Sequence, residues 1–328
     1  MLSLRSSPLQ RTFDGYKPFA MNRRGSFRGG LVSLAVLIAH CAWAGPQTFR
    51  IVTYNVENYL DQPTESRRYP KSAQARAKVR ESIRAANPDV LALQEMGALS
   101  ALQELQSSLK AENLDFPYWE YVSGYDTNIH TAILSKFPIV ARRPHTNDTF
   151  LLGGRRFWVS RGIAEVDVRV SPSYSFTLIT AHLKSKRPVP EADESELRLE
   201  EAKVLRNILD RTLAARPDAN VVLAGDFNDN KDSVVLKAVM GRGRFKLLDV
   251  RPAERNGDSE PAGRLDRNIT WTHYYGKEDS YSRIDYILLS PGMAREWIPS
   301  ESFVLSIPNW GIGSDHRPVA ATFQAADQ

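Results

Sequence analysis

Cysteine is almost absent from this chain, with Cys41 the only one in 328 residues. Because Cys41 falls in a segment that reads as a leader, residues 45–328 can form no disulfide and offer no thiolate to a metal. Net charge is lacking as well. The chain holds 43 Lys/Arg and 38 Asp/Glu; six of those bases and one acid lie in residues 1–44, leaving 37 of each sign beyond. The basic excess therefore belongs to the leader and gives no reason to expect a nucleic-acid partner. The longest apolar run falls short of the roughly 20 residues that a spanning helix needs. A G-x-x-x-x-G-K-[ST] loop is also missing, which removes nucleoside-triphosphate chemistry of that kind. There is no internal repeat, heptad or low-complexity tract.

What is present is ordinary globular composition, 42% hydrophobic and 25% charged, enough for a sizeable core. Met21 opens a basic stretch, "MNRRGSFRGG", followed by the apolar "LVSLAVLIAHCAWA". The small-x-small pattern Ala42-Trp43-Ala44 then predicts signal cleavage after Ala44, with residues 1–20 preceding the signal. Residues 45–328 are expected to form a single domain of a secreted or periplasmic protein, without a membrane span and with nothing pointing to an obligate protein partner.

Periodicity predicts a first strand in "FRIVTYNVEN", where Phe49, Ile51 and Thr53 alternate against Arg50, Val52 and Tyr54. Helices are expected over 73–86, 98–112 and 194–215, the first stopped by Asn87-Pro88. Strands are expected over 89–95, 118–123, 129–135, 139–142, 161–170, 174–181, 220–225, 284–289 and 318–323. The polar stretch from Arg251 to Arg267 reads as a mobile surface loop. Strands this numerous, with helices too few for strict alternation, predict two packed sheets with helices outside.

Five strands end in polar residues: "YNVEN" with Asn55 and Glu57, "LALQEM" with Glu95, "ITAHLKS" with His182, "LAGDFND" with Asp226 and Asn228, and "SRIDYIL" with Asp285. A sixth cluster, "GSDHRPV", places Asp315 and His316 before the last strand. Any one of these has a bland explanation as a turn former, a cap or a hydrogen-bonded histidine. Together they supply oxygen ligands and two imidazoles without a thiol, which suits a hard cation such as Mg²⁺ or Mn²⁺. In extended chain Asp226 and Asn228 point the same way and Phe227 into the opposite layer. Asp229 and Asn230 read as a solvated cap. Asp285 shares a side with Ile287 and Leu289, so it is expected to be partly buried and in need of a partner. Asp315 and His316, being adjacent, are expected to face apart and to hold different parts of one centre.

The segments "YNVEN", "PDVLALQE", "AILSKFPIV", "AHLKS", "GDFND", "IDYIL" and "GSDHRPV" occur in the order found in the endonuclease/exonuclease/phosphatase family, which the chain resembles over roughly residues 48–323. That family includes deoxyribonuclease I, exonuclease III-type enzymes, sphingomyelinases and inositol-polyphosphate phosphatases. The resemblance implies an α/β fold, a four-layer α-β-β-α sandwich of two packed mixed sheets flanked by helices, with the site where strand ends converge. It implies Glu95 as principal metal ligand, Asn55 assisting and Asp315 also at the metal. It further implies His316 as general base oriented by Asp285, Asp226 and Asn228 positioning nucleophile and phosphoryl oxygens, and His182 bonding the phosphate. Arg161 is a further phosphate-clamp candidate, with a plain surface arginine as its alternative, and Glu57 is read as a neighbour of the metal. The cofactor expected is Mg²⁺, with Mn²⁺ or Ca²⁺ as alternatives.

Phosphodiester hydrolysis needs a Lewis acid, a base for water and donors for developing charge, and these residue types supply all three. The expected activity is that of a secreted endonuclease acting on nucleic acid. A phospholipid hydrolase of sphingomyelinase type, or an inositol-phosphate phosphohydrolase, is the alternative on the same fold. A calcineurin-like metallophosphatase also begins with a strand-GD ending, but its downstream Gly-Asn-His cluster is missing. A non-catalytic binding module would have lost site residues, and none is lost here. Lys184, Lys186, Arg187, Arg155 and Arg156 are candidates for a basic rim, and Trp271, Tyr274 and Tyr275 for contacts with bases or lipid.

Overall fold

Strand β1 (Thr48–Tyr59) alternates as its sequence predicts, and both of its faces are covered. Phe49 and Ile51 enter a core between two sheets, whereas Val52, Tyr54 and Val56 enter a second core beneath helices. Full burial of each such aliphatic or aromatic side chain contributes about 1.5–3 kcal/mol. The computed structural model describes residues 48–256 and 270–326, all within one compact unit. Residues 1–47, with Cys41, the expected leader and the cleavage expected after Ala44, lie outside the described residues, as do residues 257–269.

The chain continues through α1 (Ala73–Ala86), β2 (Val90–Met96), α2 (Leu99–Ala111), β3 (Tyr118–Val122), β4 (His130–Ser135), β5 (Ile139–His145), β6 (Thr149–Leu152) and β7 (Arg155–Trp158). Next come β8 (Ile163–Ser171), β9 (Tyr174–His182), α3 (Glu194–Ala215), β10 (Val221–Asp226), α4 (Val234–Met240) and β11 (Leu248–Asp249). The last elements are β12 (Ala253–Asn256), β13 (His273–Tyr275), β14 (Ser280–Ser282), β15 (Asp285–Leu289), α5 (Pro291–Ala294), β16 (Trp297–Ser306) and β17 (Val319–Gln324). One sheet runs β12-β16-β17-β1-β2-β4-β3 and the other β11-β15-β10-β9-β8-β5. Helices α1 and α2 cover the outer face of the first sheet, and α3 and α4 that of the second. The result is the two packed sheets with outer helices that the sequence predicts, and the four-layer sandwich that the family resemblance implies. Among the described residues no helix is long and apolar enough to cross a membrane.

Register carries the site. β1 and β2 are parallel, as are β9 and β10, while β17 is antiparallel to β1 and β15 to β10. The ends of β1, β2, β9 and β10 and the starts of β15 and β17 therefore lie along one edge. Within the second sheet Asp226 pairs with His182 on one side and Asp285 on the other. Gly225, beside them, has φ +146°, and a Cβ there would sit 2.0 Å from the Ala181 carbonyl oxygen. Only glycine lets the two backbones approach this closely.

Four expectations need correction. The stretch after Arg251 is not wholly loop, because Ala253–Asn256 pairs in parallel with β16. The β6–β7 hairpin and β16 were not foreseen; Pro299 and a register shift interrupt the alternation of β16. Asn228 does not continue the strand: β10 ends at Asp226, and Asn228 is left-handed at φ 53°. Asp229 is no solvated cap. Its carboxylate lies 3.3 Å from Arg198 Nε and its carbonyl accepts from Tyr286 Oη at 2.9 Å, while Ser233 caps α4.

Candidate active site

Asn55, buried in β1 at the last pair before its register with β2 shifts, ties the two sheets together. Its Nδ2 donates to Asp226 Oδ2 at 3.0 Å and approaches Glu95 Oε1 at 3.4 Å, and its Oδ1 accepts from the Glu57 amide at 3.0 Å. Glu95 Oε2 accepts the Asn58 amide at 2.9 Å. Holding these groups in place takes unusual backbone: Glu57, Asn58, Glu95 and Asn228 all have positive φ, at 42°, 47°, 62° and 53°. For non-glycine residues such conformations cost energy and collect at functional sites.

The histidines form the floor. His316 Nδ1 donates to Asp285 Oδ2 at 2.8 Å, which directs Nε2 toward Asp226 Oδ2 at 3.7 Å and Asp315 Oδ1 at 3.8 Å. Asp285 is fully buried, beyond the partial burial expected, and its Oδ1 has no hydrogen-bond partner. Burial opposes a charge on His316, but Asp285 and then Asp226 outweigh it and hold its pKa well above the ordinary histidine value. Burial, and then Asp285, push the Asp226 carboxyl up to about 7. His182, with Nε2 at 3.5 Å from Asp226 Oδ2, is driven the other way by burial and by Arg161, so its ring is neutral. It can serve as a hydrogen-bond donor to phosphate but not as a standing cation.

Arg161 is buried, not a surface arginine. It donates from Nη1 to the Leu183 carbonyl at 3.1 Å and places Nε 3.7 Å from Asp126. Asn228 Nδ2 donates to the same carbonyl at 3.1 Å, so Leu183, next to His182, is the junction of both side chains. Behind them Glu201 of α3 accepts from the Ser160 amide at 2.8 Å, Ser160 Oγ at 2.6 Å and the Lys184 amide at 2.6 Å.

Asp315 and His316 do not face apart. Residues 313–318 precede β17 and form no continuous strand, so alternation does not govern them. Both converge on His273, which the sequence reading passed over among its aromatic neighbours. His273 Nε2 lies 3.6 Å from Asp315 Oδ2, and its ring centroid is 4.6 Å from that of His316. Burial raises the Asp315 carboxyl, but hydrogen bonding from His273 and the charge of His316 bring it below the usual range. Lys71 was also missed: with its side chain only 7% exposed, its Nζ donates to the Glu57 carbonyl at 2.7 Å and lies 3.9 Å from the Glu57 carboxylate. Burial and Asp315 push Glu57 up to about 7, and burial lowers Lys71.

This donor set fits a hard divalent cation. Glu57, Glu95 and Asp315 crowd oxygens at one edge, and their repulsion adds to burial in raising Glu57. Among the described residues, two sets of three side chains bring ligand atoms within 4.8 Å of each other: His273, Asp315 and His316, and Asp226, Asp285 and His316. The second is already satisfied by the His316–Asp285 hydrogen bond. Glu95 belongs to neither set and meets the site through Asn55.

Two clefts flank the β13–β14 hairpin at this edge. One of about 1030 Å³ is lined by Lys186, Arg187, Asn228, His273, Tyr275 and Tyr281. The other, about 680 Å³, is lined by Glu57, Tyr274, Lys277 and Trp310. Asp315 lines both.

Solved structures with this architecture include the human Nocturnin catalytic domain with bound sulfate, 16% identical with a TM-score of 0.57, covering 85% of this chain and 95% of that one. Sphingomyelinase C from Streptomyces griseocarneus is 19% identical with a TM-score of 0.56, covering 85% of this chain and 100% of that one. Truncated Caenorhabditis elegans TDP2 is 19% identical with a TM-score of 0.54, covering 85% and 98%. At these identities the likeness is one of fold. No curated protein matches the chain significantly. The sequence from residue 52 to residue 316 matches the Endonuclease/Exonuclease/phosphatase family, and the chain belongs to that family, whose members are in general metal-dependent phosphoester hydrolases.

Proposed function

We propose that the protein is an exported, divalent-metal-dependent phosphodiesterase that cleaves nucleic acid, with His316 as the base that activates water. The observation that carries this is the His316 ring, bonded through Nδ1 to buried Asp285 with Nε2 left beyond hydrogen-bond range of its neighbours. Asp285 holds Nδ1, so Nε2 faces the cleft; once a bound cation opposes the charge on the ring, Nε2 would carry the lone pair that accepts the proton of water, and Asp285 stabilises the imidazolium so formed. Neutral His182 and the Asn228 amide are donors for phosphoryl oxygens, and Arg161 holds positive charge behind them. Glu95, Asn55 and Asp315 would hold the cation. When bound, it would supply Lewis-acid polarisation of the phosphoryl group and oppose the charge on His316. Lys186, Arg187 and Lys277 around the larger cleft favour a polyanion. A phospholipid substrate is the second reading, favoured by exposed Tyr275 and Tyr281 on the hairpin and by the absence of net charge in residues 45–328. The test is a panel of duplex DNA, single-stranded DNA, RNA, sphingomyelin and inositol phosphates with Mg²⁺. Nucleic-acid cleavage supports the proposal, and sphingomyelin cleavage without nuclease activity refutes it.

A further inference from the structure

Outside the catalytic cluster, Tyr125 and Trp158 stack face to face with centroids 5.4 Å apart and planes 11° apart. Both are exposed, at 67% and 43%, which is uncommon for a stacked pair of large rings. Trp158 ends β7, and the β6–β7 pairing explains its direction. Phe150 pairs with Phe157, and both pack inward on the α3 layer. Strand alternation then turns Thr149, Leu151, Arg156 and Trp158 to the opposite, outer face. An exposed arginine therefore shares that face with the aromatic pair.

The pair is rigidly tied to the phosphate-binding wall. A Cβ on Gly124 would lie 2.3 Å from the Gly162 nitrogen, and one on Gly162 would lie 2.4 Å from the Ser123 oxygen. The backbones beside Tyr125 and Arg161 thus touch with no room for side chains. The Asp126 amide donates to the Ser160 carbonyl at 2.7 Å, and the Asp126 carboxylate faces Arg161 at 3.7 Å. Trp158 is three residues from Arg161, a span of at most about 10 Å.

We propose that Tyr125 and Trp158, with Arg156, form a stacking platform for an unpaired base of a single-stranded nucleic acid whose scissile phosphate lies at His182 and Arg161. This rests on the nucleic-acid reading above and narrows it. Every base has a π-face, so aromatic platforms with neighbouring cations bind single strands without a broad basic surface. That suits a chain with no net charge beyond its leader, whereas duplex binding draws on many phosphate contacts. In the second sheet β8, which Arg161 precedes, and β15, which the β13–β14 hairpin precedes, lie on opposite sides of β9 and its His182, so a strand bound across the site would meet aromatic residues toward both sides.

The test is the affinity of fluorescein-labelled oligothymidylate, measured by anisotropy in EDTA so that cleavage plays no part. Trp158→Ala and Tyr125→Ala should each weaken binding about five- to a hundredfold, and Trp158→Phe should recover part of the loss. With Mg²⁺, the alanine variants should lose more kcat/KM on the oligonucleotide than on a small activated diester that lacks a flanking base. Failure of the wild type to bind oligothymidylate would overturn the platform, as would equal affinity of all variants or equal losses on both substrates. Loss of binding to sphingomyelin vesicles, with oligothymidylate affinity unaltered, would also overturn it and identify the face as lipid-directed. Binding without cleavage by the wild type would support the platform while refuting the nuclease.

Discussion

Asp226 and Asp285 sit directly opposite each other across the β10–β15 ladder, two fully buried carboxylates sharing one imidazole. Asp285 receives the His316 Nδ1 proton at 2.8 Å, while Asp226 stands 3.7 Å from Nε2. Like charges this close cannot both be satisfied by burial, and the pocket responds by retaining protons. The base is thereby made strong and its tautomer single.

Asp285→Asn should lower kcat by about 10²- to 10⁴-fold, the range of a positioned general base. The acid limb of its pH–rate profile should move to lower pH, because Asp285 is the foremost support of the imidazolium. Stability gives a second signature. With its folded pKa above the unfolded value of about 6.5, His316 contributes stability that is full below about pH 6.5 and lost as pH rises through the folded value. In EDTA the variant should therefore lose more stability at pH 6 than at pH 9, as read by urea unfolding.

Gly225→Ala should destabilise the fold by about 2–4 kcal/mol and depress activity, since the new methyl meets the Ala181 carbonyl at 2.0 Å. Denaturant titration gives the first quantity and diester hydrolysis the second. A loss under about 1 kcal/mol would mean that β9 and β10 can part without disturbing His182 and Asp226.

Glu201→Ala leaves the Ser160 amide, Ser160 Oγ and the Lys184 amide without their shared acceptor. Buried donors left unpaired cost about 1–3 kcal/mol each. The expected outcomes are a clearly lower Tm and a raised KM, because Arg161 and Lys184 lose the brace behind them. Glu201→Gln, which keeps acceptor capacity, should fall between the variant and the wild type.

Much of this was legible in the sequence. The helices at 73–86 and 194–215 have the predicted bounds, and the buried strands were found by their alternation. Glu95, His182, Asp226 and Asp285 come together because each lies at or next to a strand terminus, a position that register then aligns, and His316 joins them from the segment just before β17. What escaped notice has local causes. The β6–β7 hairpin has strands of four residues, too short for a periodic signal, although its Gly153-Gly154 turn with φ of 57° and 76° was a usable sign. His273, in "WTHYYG", carries no periodic signal of its own, because it opens a strand of only three residues. Asn228 and Asp315 were misjudged by extending strand alternation past the last paired residue.

The central claim is that His316 and the carboxylates around Glu95 hydrolyse a phosphodiester with a bound divalent cation. The most direct measurement is single-turnover hydrolysis of an activated phosphodiester by the wild type, His316→Ala and Glu95→Ala, each with Mg²⁺ and with EDTA. The account predicts turnover by the wild type only with the cation, and losses of about a hundredfold or more in both variants. Undiminished turnover in EDTA, or in either variant with Mg²⁺, would contradict it.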